Sequence, residues 1–94
     1  MKRKTYKFRL YIAGDTMNSV QARTNLHALC TTYLEGQYEI EVVDVFREQK
    51  RALEDGIFMT PTLLKLSPTM GKVVGTLSNA QSVLMALGID TDKP

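Results

Sequence analysis

Between Gly56 and Leu66 the chain reads Gly56-Ile57-Phe58-Met59-Thr60-Pro61-Thr62-Leu63-Leu64-Lys65-Leu66, a proline set directly before an apolar run. The pyrrolidine ring fixes φ and removes an amide donor, so Pro61 suits the first residue of a strand or a sheet edge, and Thr60 is pushed toward extended backbone. A strand entered at Pro61 is therefore the strongest constraint on the fold. Everything else has to pack around it.

Upstream, Tyr6, Phe8, Leu10 and Ile12 alternate with Lys7, Arg9 and Tyr11, the period of a strand, which Ala13 and Gly14 end. Asp15, Thr16, Asn18 and Ser19 are all capping types, and beyond them Ala22, Leu26, Leu29, Cys30 and Tyr33 recur at helical spacing up to Gly36. Ile40, Val42, Val43 and Val45 predict a second strand, with Glu39, Glu41 and Asp44 pointing mostly the other way. Residues 47–55 predict a short helix that Gly56 closes. After the proline-led strand, Ser67-Pro68-Thr69-Met70-Gly71 is a turn by composition and residues 72–76 a fourth strand, so the last two strands form an antiparallel hairpin. Ser78-Asn79-Ala80-Gln81 reads as a capping box for a final helix with Val83, Leu84 and Leu87 inward and Gly88 at its end. The order is βαβαββα: a parallel βαβ unit followed by a hairpin and a helix, one α/β domain over residues 1–94 with a mixed four-stranded sheet.

At 94 residues, 44% hydrophobic and 23% charged, the chain has the composition of an ordinary globular domain. It contains neither a membrane-length apolar run nor a signal-peptide core, so no membrane partner and a cytoplasmic address are expected. Its single cysteine excludes an internal disulfide and a Cys-rich metal site. Lys2, Arg3, Lys4, Lys7 and Arg9 crowd the start, while residues 35–55 are acidic. No aromatic stacking platform is interleaved with these basic residues, so they are expected to form a charged rim and not to bind nucleic acid.

Candidate catalytic groups are few. His27, the only histidine, flanks the first helix's apolar stripe without a cysteine or serine nucleophile to serve. Cys30 lies within that stripe, where a small core residue is expected, since a reactive thiolate needs exposure and nearby positive charge. No metal-ligand spacing or phosphate-cradling glycine motif occurs, so neither metal nor cofactor is expected. Glu39, Glu41 and Asp44 could pair as a carboxylate site, but like charges along a strand more often mark a surface for a partner.

The proline-led strand resembles that of the thioredoxin fold, in which a Thr-Pro peptide held cis faces a redox dithiol. Here the loop that would carry the dithiol is Gly14-Asp15-Thr16-Met17-Asn18-Ser19, without cysteine. Over nearly its whole length the chain resembles the KaiB family more closely. The matching words are Lys4-Thr5-Tyr6, Leu10-Tyr11-Ile12-Ala13-Gly14, Asn18-Ser19-Val20, Gly36-Gln37-Tyr38, Val42-Val43-Asp44-Val45, Thr60-Pro61-Thr62-Leu63 and Gly75-Thr76-Leu77-Ser78. The resemblance implies a non-enzymatic circadian regulator that binds a KaiC-type hexameric ATPase. It also implies a metamorphic chain with a second, often oligomeric βαββααβ arrangement. Ala86-Leu87-Gly88 stands where the family usually has Gly-Leu-Asp, and alanine inside a helix favours the thioredoxin-like form by about 0.8–1 kcal/mol. Glu39 and Glu41 replace apolar or basic residues of the family pattern, and Gly56 replaces a lysine, which alters the partner surface.

The reading is an adaptor for a KaiC-type ATPase or a related signalling protein in a circadian or stress-timing system, whose partner-binding residues are Glu39, Glu41 and Asp44, with Arg23 and His27 as a rim; Thr60, Pro61, Gly56, Ala86 and Gly88 define the fold. The alternative is a thioredoxin-fold redox or stress-response protein acting through Cys30, a thiol that lies over two turns beyond the helix start where such a site belongs. Exposed strand edges also predict a homo-oligomer.

Overall fold

The computed structural model describes residues 5–89, so Lys2, Arg3, Lys4 and the polar tail from Asp90 lie outside the described residues. The elements are β1 (Tyr6–Ile12), α1 (Met17–Tyr33), β2 (Tyr38–Asp44), α2 (Gln49–Glu54), β3 (Thr62–Ser67), β4 (Gly71–Val74) and α3 (Ala80–Ala86). They form a four-stranded sheet in the order β2-β1-β3-β4, the βαβαββα arrangement that the sequence pattern implies. β1 runs parallel to β2 and antiparallel to β3, and β3 pairs antiparallel with β4.

Alternation along the strands divides the core between two faces. Phe8, Leu10, Ile12 and Leu63 pack with Ala22, Leu26, Leu29 and Cys30 of α1 and with Val83 and Leu84 of α3. On the other face Tyr11, Val43 and Leu64 pack with Ala52 of α2 and with Ile57. Each large side chain buried this way contributes about 1.5–3 kcal/mol. Among the described residues, no helix is long and apolar enough to cross a membrane.

The Thr60-Pro61 peptide is cis, as the thioredoxin resemblance implies, and Ser67-Pro68 is cis as well. Other details depart from expectation. β4 ends at Val74 because Gly75 takes φ +123°, a conformation that leaves the ladder. α2 starts at Gln49 because the amides of Arg47 and Glu48 first turn back onto the Asp44 carbonyl. The cap of α3 is Asn79, whose side chain accepts from the Ser82 amide at 3.0 Å, so Ser78 has no part in it. Ala86 is the last residue of α3, not an interior one, and Gly88 follows the Leu87 cap at φ +68°. Ala86 therefore carries less of the helix-interior preference than its spacing implied, and the left-handed Gly88 supplies the stop.

Candidate functional site

Where a thioredoxin holds its dithiol, this chain builds a hydroxyl knot. Thr16 caps α1, accepting from the Ser19 amide at 3.4 Å, and its hydroxyl donates to Ser19 Oγ at 2.8 Å. Ser19, almost wholly buried, also accepts the Ala13 amide at 3.0 Å and so ties the end of β1 to the start of α1. Cys30 is remote from this knot, three turns along α1, fully buried, and its thiol is pushed up to about 12 by burial. Such a thiol carries negligible thiolate at neutral pH. Among the described residues no group of three or more His, Cys, Asp or Glu side chains could hold a metal ion.

The charged residues of β2 divide between the two faces of the sheet. Glu39 and Glu41 share the face of Val43 and α2, whereas Asp44 has the opposite parity and lies with Ile40 and Val42 on the α1 face. The common orientation expected for the three carboxylates therefore does not hold, because the strand has only two sides and 44 differs in parity from 39 and 41. Asp44 is occupied locally: its Oδ1 accepts from the Phe46 amide at 2.9 Å and the Gly14 amide at 3.3 Å, joining the loops that follow β1 and β2.

Glu41 is the centre of an ion-pair network. The parallel register sets Arg9 beside Glu41, and Arg9 Nε reaches Glu41 Oε1 at 2.9 Å while its Nη1 reaches Asp55 Oδ2 at 3.0 Å. Arg51 of α2 binds Glu41 Oε2 at 2.8 Å and Glu48 at 3.2 Å. The Tyr11 hydroxyl, buried beneath, donates to Asp55 Oδ2 at 2.5 Å. Hydrogen bonds from Arg9 and then Arg51 hold the Glu41 carboxyl below its ordinary range. The bonds from Tyr11 and Arg9 do the same for Asp55 against the opposing effect of burial. Glu39, one pair nearer the strand start, is exposed, and its carboxylate makes no hydrogen bond or ion pair among the described residues.

Arg23 and His27, one turn apart on α1, line an open groove of about 710 Å³ floored by Leu10, Leu26, Ile40 and Val42. Neither side chain is engaged by a carboxylate among the described residues. The five candidate residues thus straddle the β2 edge: Glu39 and Glu41 on one side, Arg23, His27 and Asp44 on the other. Sequence reasoning missed the exposed apolar groups at this edge. Val20 is 48% and Val42 39% exposed, although each looks like a core residue by type. Only the edge position of β2, which leaves these side chains without a further strand beside them, accounts for that exposure.

The KaiB domain family profile matches residues 9–89. The chain is 43% identical over 88 residues to the circadian clock oscillator protein KaiB of Acaryochloris marina, covering 93% of this chain and 85% of that protein. It is 42% identical over 82 residues to the circadian clock protein KaiB3 of Synechocystis, covering 86% and 80% respectively. In fold it is similar to the N-terminal domain of Synechococcus elongatus SasA, with a TM-score of 0.76 at 12% identity, covering 100% of this chain and 93% of that one. It is similar in the same sense to mitochondrial thioredoxin 3 of Saccharomyces cerevisiae, with a TM-score of 0.70 at 17% identity and coverage of 93% and 80%. The fold is thioredoxin-like, the dithiol is replaced by a serine–threonine knot, and by sequence the chain belongs to the KaiB family.

Proposed function

We propose that this chain is a non-enzymatic regulator in a circadian or related timing system, working as one domain in the cytoplasm and acting by binding a KaiC-type ATPase. The observation that carries the reading is membership of the KaiB family, whose curated relatives are named as clock proteins, in a chain whose only thiol is sealed in the core. The docking face in this reading is the β2 edge with its α1 flank. Glu39 presents an unengaged carboxylate on one side of it, and Arg23 and His27 present unengaged basic groups on the other. Glu41 and Asp44, on opposite sides of that edge, act mainly by holding β2 and its following loop in shape.

The experiment is size-exclusion chromatography with light scattering, with the protein alone and then mixed with the KaiC-type ATPase of the same source in ATP. Co-elution is expected, and Glu39→Lys or Arg23→Glu should weaken it, since juxtaposed like charges at an interface cost several kcal/mol. Glu41→Lys is a poorer probe because it also breaks the ion-pair network. Separate elution of the two proteins would sink the ATPase reading, and association unaffected by both reversals would move the docking face elsewhere. The run without partner reports whether the two open sheet edges lead to self-association.

A further inference from the structure

The chain has five methionines, and the four within the described residues are all strongly exposed: Met17 76%, Met59 64%, Met70 70% and Met85 80%. Methionine is ordinarily among the more buried residue types, so this distribution is unusual. None of the four belongs to either core cluster. The cysteine has the opposite placement, with no exposed surface at all.

We propose that Met17, Met59, Met70 and Met85 are reversible S-oxidation sites, so that a peroxide reacts with this chain at methionine while Cys30 stays reduced. In each step a thioether lone pair attacks one peroxide oxygen and the O–O bond breaks. A sulfur–oxygen bond forms, and with hydrogen peroxide the second oxygen departs as hydroxide and takes the proton that the sulfur-bound oxygen gives up, leaving as water. Sulfur loses two electrons and the peroxide gains them; methionine sulfoxide reductases reverse the change. Cys30 does not compete, because burial both blocks the approach of oxidant and suppresses its thiolate.

Placement decides the consequence. A sulfoxide in a core would put an unpaired dipole among apolar groups, but these four side chains project into water, so the fold survives. Met17 opens α1 just after β1, and Met59 precedes the cis Thr60-Pro61 peptide. Pairing of Tyr11 with Thr62, and of Thr62 with Val74, brings these segments to the same end of the sheet. That end also carries Phe46, Phe58 and Val74, exposed by 67%, 86% and 48%. Oxidation of Met17 and Met59 therefore makes an apolar end of the molecule more polar without unfolding it.

The test treats the full chain with hydrogen peroxide and follows peptide-mapped oxygen addition, far-UV circular dichroism and retention on a hydrophobic-interaction column. The expected result is oxygen on the four methionines, mapped separately from Met1, with Cys30 unmodified, the helical signal unchanged and earlier elution. Methionine sulfoxide reductases should restore the retention, and the M17L/M59L variant should shift less than the parent chain. Oxidation of Cys30 before the methionines, loss of helical signal in step with oxygen uptake, or equal retention shifts in parent and variant would overturn the proposal. If the leucine variant fails to fold, the mapping and circular dichroism of the parent chain decide alone.

Discussion

Replacing Tyr11 by phenylalanine removes one oxygen from the centre of the α2 face and tests how that face is held. The ring has no exposed surface and packs with Val43, Ala52, Ile57 and Leu64, so the variant leaves the apolar packing and creates no cavity of consequence. What it loses is the hydroxyl's bond to Asp55 Oδ2 at 2.5 Å, with the Arg51 carbonyl at 3.2 Å as a second acceptor. That carbonyl also accepts from the Asp55 amide at 3.0 Å, and Asp55 keeps Arg9, so neither is orphaned. The loss is therefore that of one hydrogen bond to a charged group, about 1.5–3 kcal/mol. The tyrosine's acidity gives an independent check. Burial, and secondly the bond to Asp55, push the phenol from 10.0 up to about 12. A folded-state value above the unfolded one means that this stabilisation is complete below the unfolded value and fades as pH rises from about 10 to about 12. Urea unfolding should thus show the parent chain more stable than Tyr11→Phe by a constant amount at neutral pH, with the gap closing across that alkaline window. A neutral-pH difference below about 0.5 kcal/mol, or a gap indifferent to alkaline pH, would mean that the hydroxyl does not hold Asp55 in solution.

Three further outcomes follow from the geometry. Ser19→Ala removes the acceptor of the Ala13 amide in a buried setting and should destabilise by about 1–3 kcal/mol in the same assay, whereas a merely spatial role for Ser19 would leave stability unchanged. Gly88→Ala meets no atom within 4 Å, so its cost is the left-handed backbone alone, about 1–2 kcal/mol; a neutral result in thermal melts would show that α3 does not end in this conformation in solution. Glu41 and Asp55 have carboxyls held below their ordinary values, so their stabilisation is present above those values and is lost as pH falls through the lower folded ones. Acid titration of the Arg9→Met variant should therefore show a flatter loss of stability than the parent chain, and parallel curves would contradict the network.

Residue pattern alone determined the order of elements and the α1-facing side of β1, but not that the opposite side, with Tyr11, is buried as well. Tyr6, Phe8, Leu10 and Ile12 face one core because a strand alternates, and Leu26, Leu29 and Cys30 face it because a helix repeats about every 3.6 residues. The absence of thiol from the loop at residues 14–19 was likewise plain in the chain, and with it the loss of dithiol chemistry. The candidate site was legible only as a set of residue types. Periodicity reports the side of an element on which a residue stands, not which element stands across from it. The pairing of Arg9 with Asp55 spans 46 positions and that of Tyr11 with Asp55 spans 44, so both depend on α2 docking over the sheet. The same docking turns Glu41 from a free surface charge into a bridge between Arg9 and Arg51. The strand order, which puts β2 at an edge, exposes Val42 and leaves Glu39 beside open solvent. These features belong to the tertiary structure because each arises from the relative placement of elements, for which local sequence preferences carry no direct record.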